Sequence, residues 1–136
     1  MTGANLILSA FAGRAQKAGI AMHVQGMLPA FILVSDSDLC ILLSNALENA
    51  LHACQPFAAE GKACGIDVRF YVREEKLFLQ VTNPCGNMVR FENGIPVSDQ
   101  PGHGIGVQSI CAIVRRYGGV YAFSVKNGQF VLRLSL

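Results

Sequence analysis

Charge is scarce in this chain. Of 136 residues only 15% are Asp, Glu, Lys or Arg, and 11 basic against 9 acidic side chains leave a formal charge of +2. The basic residues are scattered, with Arg115–Arg116 the only adjacent pair, so the electrostatic footprint of a nucleic-acid-binding surface is missing. No apolar run reaches the roughly 18 residues of a membrane span. The N-terminus carries neither the charged stretch nor the apolar stretch of a signal peptide. No nucleic acid and no membrane contact by this segment are therefore expected. The five cysteines, Cys40, Cys54, Cys64, Cys85 and Cys111, are odd in number and never spaced as CxxC. That pattern reads as reduced core thiols in a cytoplasmic protein, not as a zinc site. Internal repeats and low-complexity segments are lacking too. What remains is 51% hydrophobic, in a length that suits one globular domain with a real core.

One further absence is local. From Ser35 to Cys54 there is no Lys or Arg, although the segment has helical periodicity. At about 100° per residue, Leu39, Cys40, Leu43, Leu47, Ala50, Leu51 and Cys54 form an apolar face. Asn45, Glu48, Asn49 and His52 fall on the opposite side at i, i+3, i+4 and i+7. A solvated helix face is normally rich in long charged side chains. Two amides, a carboxylate and an imidazole pointing one way read as the wall of a site. Ser35, with Asp38 three residues on, opens the helix as a capping box, and Pro56 is expected to end it.

The flanking segments are read in order. Residues 3–18 have helical periodicity, with Leu6, Ala10, Phe11 and Ala18 near one stripe. Ile20–Leu28 alternates and reads as a strand closed by Pro29, with Phe31–Val34 as a short second piece. Ile66–Arg73 and Lys76–Thr82 form a hairpin about Glu74–Glu75, and Asn83–Pro84 is expected to break the second strand. Cys85–Pro101 lacks periodicity and has the length of a functional lid. A glycine-rich entry, GHGIGV from Gly102, then leads into a helix that stops at Gly118–Gly119. Val120–Val125 and Gln129–Leu136 pair through Lys126-Asn127-Gly128, a type I′ turn signal. The expected fold is α/β (α+β), a two-layer sandwich with a mixed, largely antiparallel sheet and about three helices on one face.

Several residues carry possible chemistry. The glycines of the 102–107 loop let backbone approach phosphates, and a helix N-terminus favours an anion. A plain connection reads the same way. Asn45 and Asn49 offer hard neutral oxygens suited to Mg²⁺ shared with phosphates, or they are exposed capping residues. Glu48 is a general base or a solvated carboxylate, and His52 a phosphate contact or an exposed imidazole. A GxxxxGKS/T loop is absent, which excludes a P-loop protein. The glycine-rich loop follows no strand of a βαβ unit, which argues against a dinucleotide fold.

Taken together, LLSNALENALHA, then GHGIGV, a helix and YGG resemble the N-box and G-box of the GHKL (Bergerat-fold) ATP-binding family. The resemblance runs from about Ile20 to Leu136. It is nearest to the catalytic domain of bacterial sensor histidine kinases of the peptide-quorum-sensing type. It implies ATP and Mg²⁺ as ligands, with Asn49 and Asn45 toward the metal. It places Asn45 and Glu48 at the catalytic wall. His52, Asn83, His103, Gly104, Ile105, Gly106 and Val107 would contact nucleotide. Family members that activate water tend to carry Glu at the position of Asn45, so the resemblance implies phosphotransfer. Asn83 stands where most members have the Asp that reads the adenine amino group, and His52 where many kinases have Lys. The implied partners are a phosphoacceptor histidine domain in the parent chain and a response regulator. Residues 1–19 would be a linker helix ending an upstream dimerisation region, residues 20–136 the ATP-binding domain, and about 84–103 its lid. Such a segment would be the cytoplasmic part of a membrane-anchored sensor. The alternative is a catalytically inactive nucleotide-sensing or interaction module of the same fold. An anti-sigma-type serine kinase is disfavoured by Asn45.

Overall fold

The computed structural model describes residues 3–28, 33–86, 89–97 and 104–136. Helix α1 (Gly3–Lys17) leads into strand β1 (Ala21–Gln25), and the long α2 (Asp36–Ala59) follows. Strands β2 (Gly65–Arg73) and β3 (Lys76–Pro84) form a hairpin, and a small second hairpin pairs β4 (Arg90–Glu92) with β5 (Ile95–Val97). Helix α3 (Ile105–Arg116) and the hairpin β6 (Val120–Lys126) and β7 (Gln129–Ser135) complete the chain.

The main sheet has the order β1-β2-β3-β7-β6. Only β1 runs parallel to its neighbour; the other pairs are antiparallel. Register aligns one apolar row across it: Val68 opposite Val81, Val81 opposite Leu132, and Leu132 opposite Phe123. Because side chains alternate along a strand, these residues face the helices, while Arg69, Gln80 and Arg133 belong to the other face. The helical layer meets that row with Leu39, Leu42, Leu43, Ala46, Leu47, Ala50, Leu51 and Cys54 of α2 and Val107, Ile110, Cys111, Ile113 and Val114 of α3. The two-layer α/β expectation holds. Leu42 and Ala46 widen the apolar face of α2, while Cys40 is only half-buried.

Four local expectations need correction. First, α2 continues through Pro56 to Ala59. Proline removes the bond to the carbonyl four residues back, that of His52. His52 and Pro56 are both exposed, so water can serve that carbonyl. Second, β3 runs through Pro84. Leu77 and Cys85 bond toward β7, so by alternation the Pro84 nitrogen points toward β2. Pairing with β2 stops at Asp67 opposite Thr82, and no ladder bond is lost there. Third, the expected irregular segment holds β4 and β5 about Asn93–Gly94, both at positive φ (53° and 77°), a type I′ turn at its preferred dipeptide. Fourth, α1 buries Ala4, Leu8, Phe11 and Ala15 and leaves Leu6 57% exposed. Small residues let it lie close to α2: a Cβ on Gly3 would stand 2.7 Å from Asp36 Oδ2 and 2.8 Å from Cys40 Sγ. The expected strand piece at Phe31–Val34 lies partly outside the described residues, and Leu33–Val34 form a bend.

The entry to α2 is tied to the exit of α3. Ser35 Oγ accepts from the Asp38 amide at 3.1 Å. The return half of the box passes through Tyr117, whose hydroxyl donates to Asp38 Oδ2 at 2.6 Å and accepts from the Ser35 amide at 3.1 Å. Arg116 adds an ion pair to Asp38 Oδ1 at 2.9 Å. The first turn of α2 and the last turn of α3 are therefore held together.

Candidate functional site

The polar stripe of α2 faces the N-terminus of α3 across a cavity of about 490 Å³, lined by Asn45, Glu48, Asn49, His52, Gly104, Ile105, Gly106 and Val107. These are the residues that periodicity and the glycine-rich loop singled out, brought together. His103 lies outside the described residues. Gly104 caps α3 at φ 101° and gives no side-chain hydrogen bond, so the first amides of α3 have no side-chain cap. Uncapped amides and the helix dipole make the α3 end of the cavity favourable for an anion.

Asn45 and Gly106 set how closely the two helices approach. Asn45 Nδ2 donates to the Ile41 carbonyl at 3.0 Å, which leaves Oδ1 directed toward α3. A Cβ on Gly106 would stand 3.0 Å from that oxygen. Glycine at 106 thus lets α3 approach Asn45 without displacing it.

A second cavity, about 320 Å³, continues from the first through the shared residues Asn49, His52, Gly104 and Val107. Its other walls are Ala53, Asn83, Cys85, Val89, Pro96, Val97 and Phe130. It is mainly apolar, with one buried amide: Asn83 is 3% exposed. Asn83 Nδ2 is committed to the Pro84 carbonyl at 2.9 Å. That leaves Oδ1, an acceptor, and the second Nδ2 hydrogen to read a ligand. Burial raises the Cys85 thiol above its ordinary pKa, which makes it an apolar wall. A larger hollow of about 520 Å³ lies on the other side of Gly104, beside Pro96, Ile105, Gln108 and Ala112. Among the described residues its lining carries no ionisable group.

Glu48 is engaged. Arg14 donates to both of its carboxylate oxygens, at 2.7 and 3.1 Å. That hydrogen bonding lowers the Glu48 pKa against the opposing effect of burial, so Glu48 is a weaker base than a free carboxylate. Sequence reasoning missed Arg14, which is 34 residues away on another helix. It also missed the β4–β5 residues that wall the apolar cavity, although Asn93–Gly94 was a legible turn signal. Among the described residues no cluster of three or more His, Cys, Asp and Glu could hold a metal ion. The neutral amides of Asn45 and Asn49 fit instead a Mg²⁺ whose remaining ligands are phosphate oxygens and water.

The GHKL domain family matches residues 35–136 of this chain. The chain belongs to that family. Its fold is the one found in histidine-kinase catalytic domains. The catalytic domain of histidine kinase ThkA superposes with a TM-score of 0.75 at 14% identity, over 98% of this chain and 90% of that one. The mycobacterial sensor histidine kinase MprB gives 0.69 at 18% identity, over 98% and 92%. Full-length ShkA in complex with AMPPNP gives 0.69 at 16% identity, over 98% of this chain and 28% of that one. At these identities the fold is what is shared. No curated protein matches the chain significantly in sequence. No helix among the described residues is long and apolar enough to cross a membrane.

Proposed function

We propose that this GHKL domain binds Mg-ATP and is the catalytic domain of a two-component sensor histidine kinase, of the peptide-quorum-sensing type. One observation carries the reading: a mainly apolar cavity with a buried amide, Asn83, opens directly into a polar cavity at a helix N-terminus without a side-chain cap. The first suits a purine, whose exocyclic amino group can donate to Asn83 Oδ1. The second suits phosphates, against the amides of Gly104–Val107. Asn49 and Asn45 would hold Mg²⁺, which supplies charge neutralisation and orientation of the phosphates. Residues 84–103 would close over the nucleotide.

Phosphoryl transfer of this kind needs positioning and charge stabilisation more than covalent help. The bond from the γ-phosphorus to the β,γ-bridging oxygen breaks, and a bond to an imidazole nitrogen forms. Asn45 cannot take a proton from water and Glu48 is ion-paired, so hydrolysis is disfavoured and the role of both is to place groups. The acceptor histidine would sit on a dimerisation domain of the parent chain, with residues 1–19 as the connecting helix and a response regulator as the next acceptor. The parent would be a membrane-anchored sensor with this domain in the cytoplasm.

Supplying a phosphoacceptor helical hairpin in trans tests this. With Mg-ATP the domain should label that hairpin with acid-labile phosphohistidine, and Asn49→Ala should abolish labelling. Nucleotide binding without any phosphohistidine would instead favour the inactive sensing module, which the departures at Asn83 and His52 motivate.

A further inference from the structure

The polar cavity is braced by a helix that does not line it. Arg14 of α1 grips Glu48 with both prongs of its guanidinium, at 2.7 and 3.1 Å. The same guanidinium lies 4.8 Å from the centre of the Phe11 ring. Phe11 is buried in the core, so α1 pre-orients the cation before it meets the carboxylate. The two charged side chains are 47% and 58% exposed, and a pair that wet contributes little to folding stability. Its effect falls on the site. Glu48 lies between Asn45 and Asn49 along the polar face of α2 and lines the cavity. Phosphates entering there would be repelled by an unpaired carboxylate, and Arg14 cancels that repulsion.

We propose that Arg14 is a positioning residue for the nucleotide site: it neutralises and orients Glu48, so docking of α1 on α2 and binding of a nucleoside triphosphate favour each other. The proposal rests on the nucleotide reading above and adds a control point to it. Coupling of this kind is reciprocal. Anything that lifts α1 from α2 bares the Glu48 charge and weakens nucleotide binding, and bound nucleotide holds α1 down. The docked state is built by Ala4, Leu8, Phe11 and Ala15 in the shared core, so Arg14 reports on the position of the whole helix.

A double-mutant cycle on the full chain, read as affinity for a non-hydrolysable ATP analogue, tests this. Arg14→Gln should weaken binding roughly five- to tenfold, a typical size for coupling between charged groups at one site. Adding Glu48→Gln to it should restore most of the loss, because the repelling charge is gone. Arg14→Lys, which keeps the charge but not the fork, should lose less. Lys17→Gln, also in the last turn of α1, should leave affinity unchanged. A melting temperature close to wild type for Arg14→Lys keeps the cycle interpretable if Arg14→Gln fails to fold. Wild-type affinity in Arg14→Gln would overturn the proposal, as would a loss that persists undiminished in the Glu48→Gln background. If the wild-type chain binds no analogue, the nucleotide reading falls and takes this proposal with it. A binding wild type with an indifferent Arg14 overturns this proposal alone.

Discussion

Asp38 shows how one side chain can join two elements and make the joint sensitive to acid. The Tyr117 hydroxyl, the Ser35 side chain and Arg116 all favour its ionised form, Tyr117 most, and together they outweigh burial and hold its pKa below the ordinary carboxylate value. A carboxylate with a depressed folded-state pKa contributes stability above its unfolded pKa. That stability is lost as pH falls through the folded value. Tyr117→Phe should therefore lower the melting temperature at pH 7, and the gap from wild type should narrow below about pH 4, where the unfolded carboxylate protonates. Thermal melts of both proteins across that range check it. A gap independent of pH would mean that Tyr117 acts through the Ser35 amide and packing alone. At this scale the sequence was partly legible. Asn45, Glu48, Asn49 and His52 were found because a period of 3.6 residues fixes which side chains share a face. Arg14 and Tyr117 were not, because their partners lie on other helices and no local pattern encodes a tertiary meeting. Asn83 likewise is paired with Phe130 on β7, 47 residues away in sequence, a meeting that no local pattern encodes.

At the scale of elements, the signals with a stereochemical cause were reliable and those resting on proline were not. Asn127–Gly128 forms the expected turn, with φ of 53° and 74°. Pro56 and Pro84 failed as boundaries because the His52 carbonyl lies on an exposed helix face open to water and the Pro84 nitrogen lies where pairing with β2 has already ended. The β2–β3 turn breaks the stereochemical pattern. Glu74 and Glu75 both take positive φ, 52° and 66°, a conformation in which non-glycine residues cost roughly 1 kcal/mol or more each. Two like charges sit side by side as well. Replacing the pair with Asn-Gly should stabilise the domain by about 1 kcal/mol, or a few degrees in melting temperature. A thermal or urea unfolding curve of the double variant checks this. A lower stability would show that the two carboxylates make contacts worth more than the backbone strain.

At the scale of the whole molecule, local pattern cannot encode strand order: β1 pairs parallel to β2, and β7 lies between β3 and β6. The alternating runs nonetheless implied a largely antiparallel sheet, and the amphipathic helices implied a layer on one face. The consequence of that topology is the site. It places Asn83 at the end of β3, beneath α2 and the β4–β5 hairpin, next to the entry of α3. A chemically divided cavity results, apolar toward the sheet and polar between the helices. On the function proposed above, this cavity is a nucleotide site completed by magnesium.

Calorimetric titration of the domain with a non-hydrolysable ATP analogue, with and without Mg²⁺ and alongside Asn49→Ala, decides whether the cavity takes nucleotide. A nucleotide site should show binding that depends on magnesium and weakens at least tenfold in the variant, a loss of about 1.4 kcal/mol. No binding by the wild-type domain under either condition would contradict it.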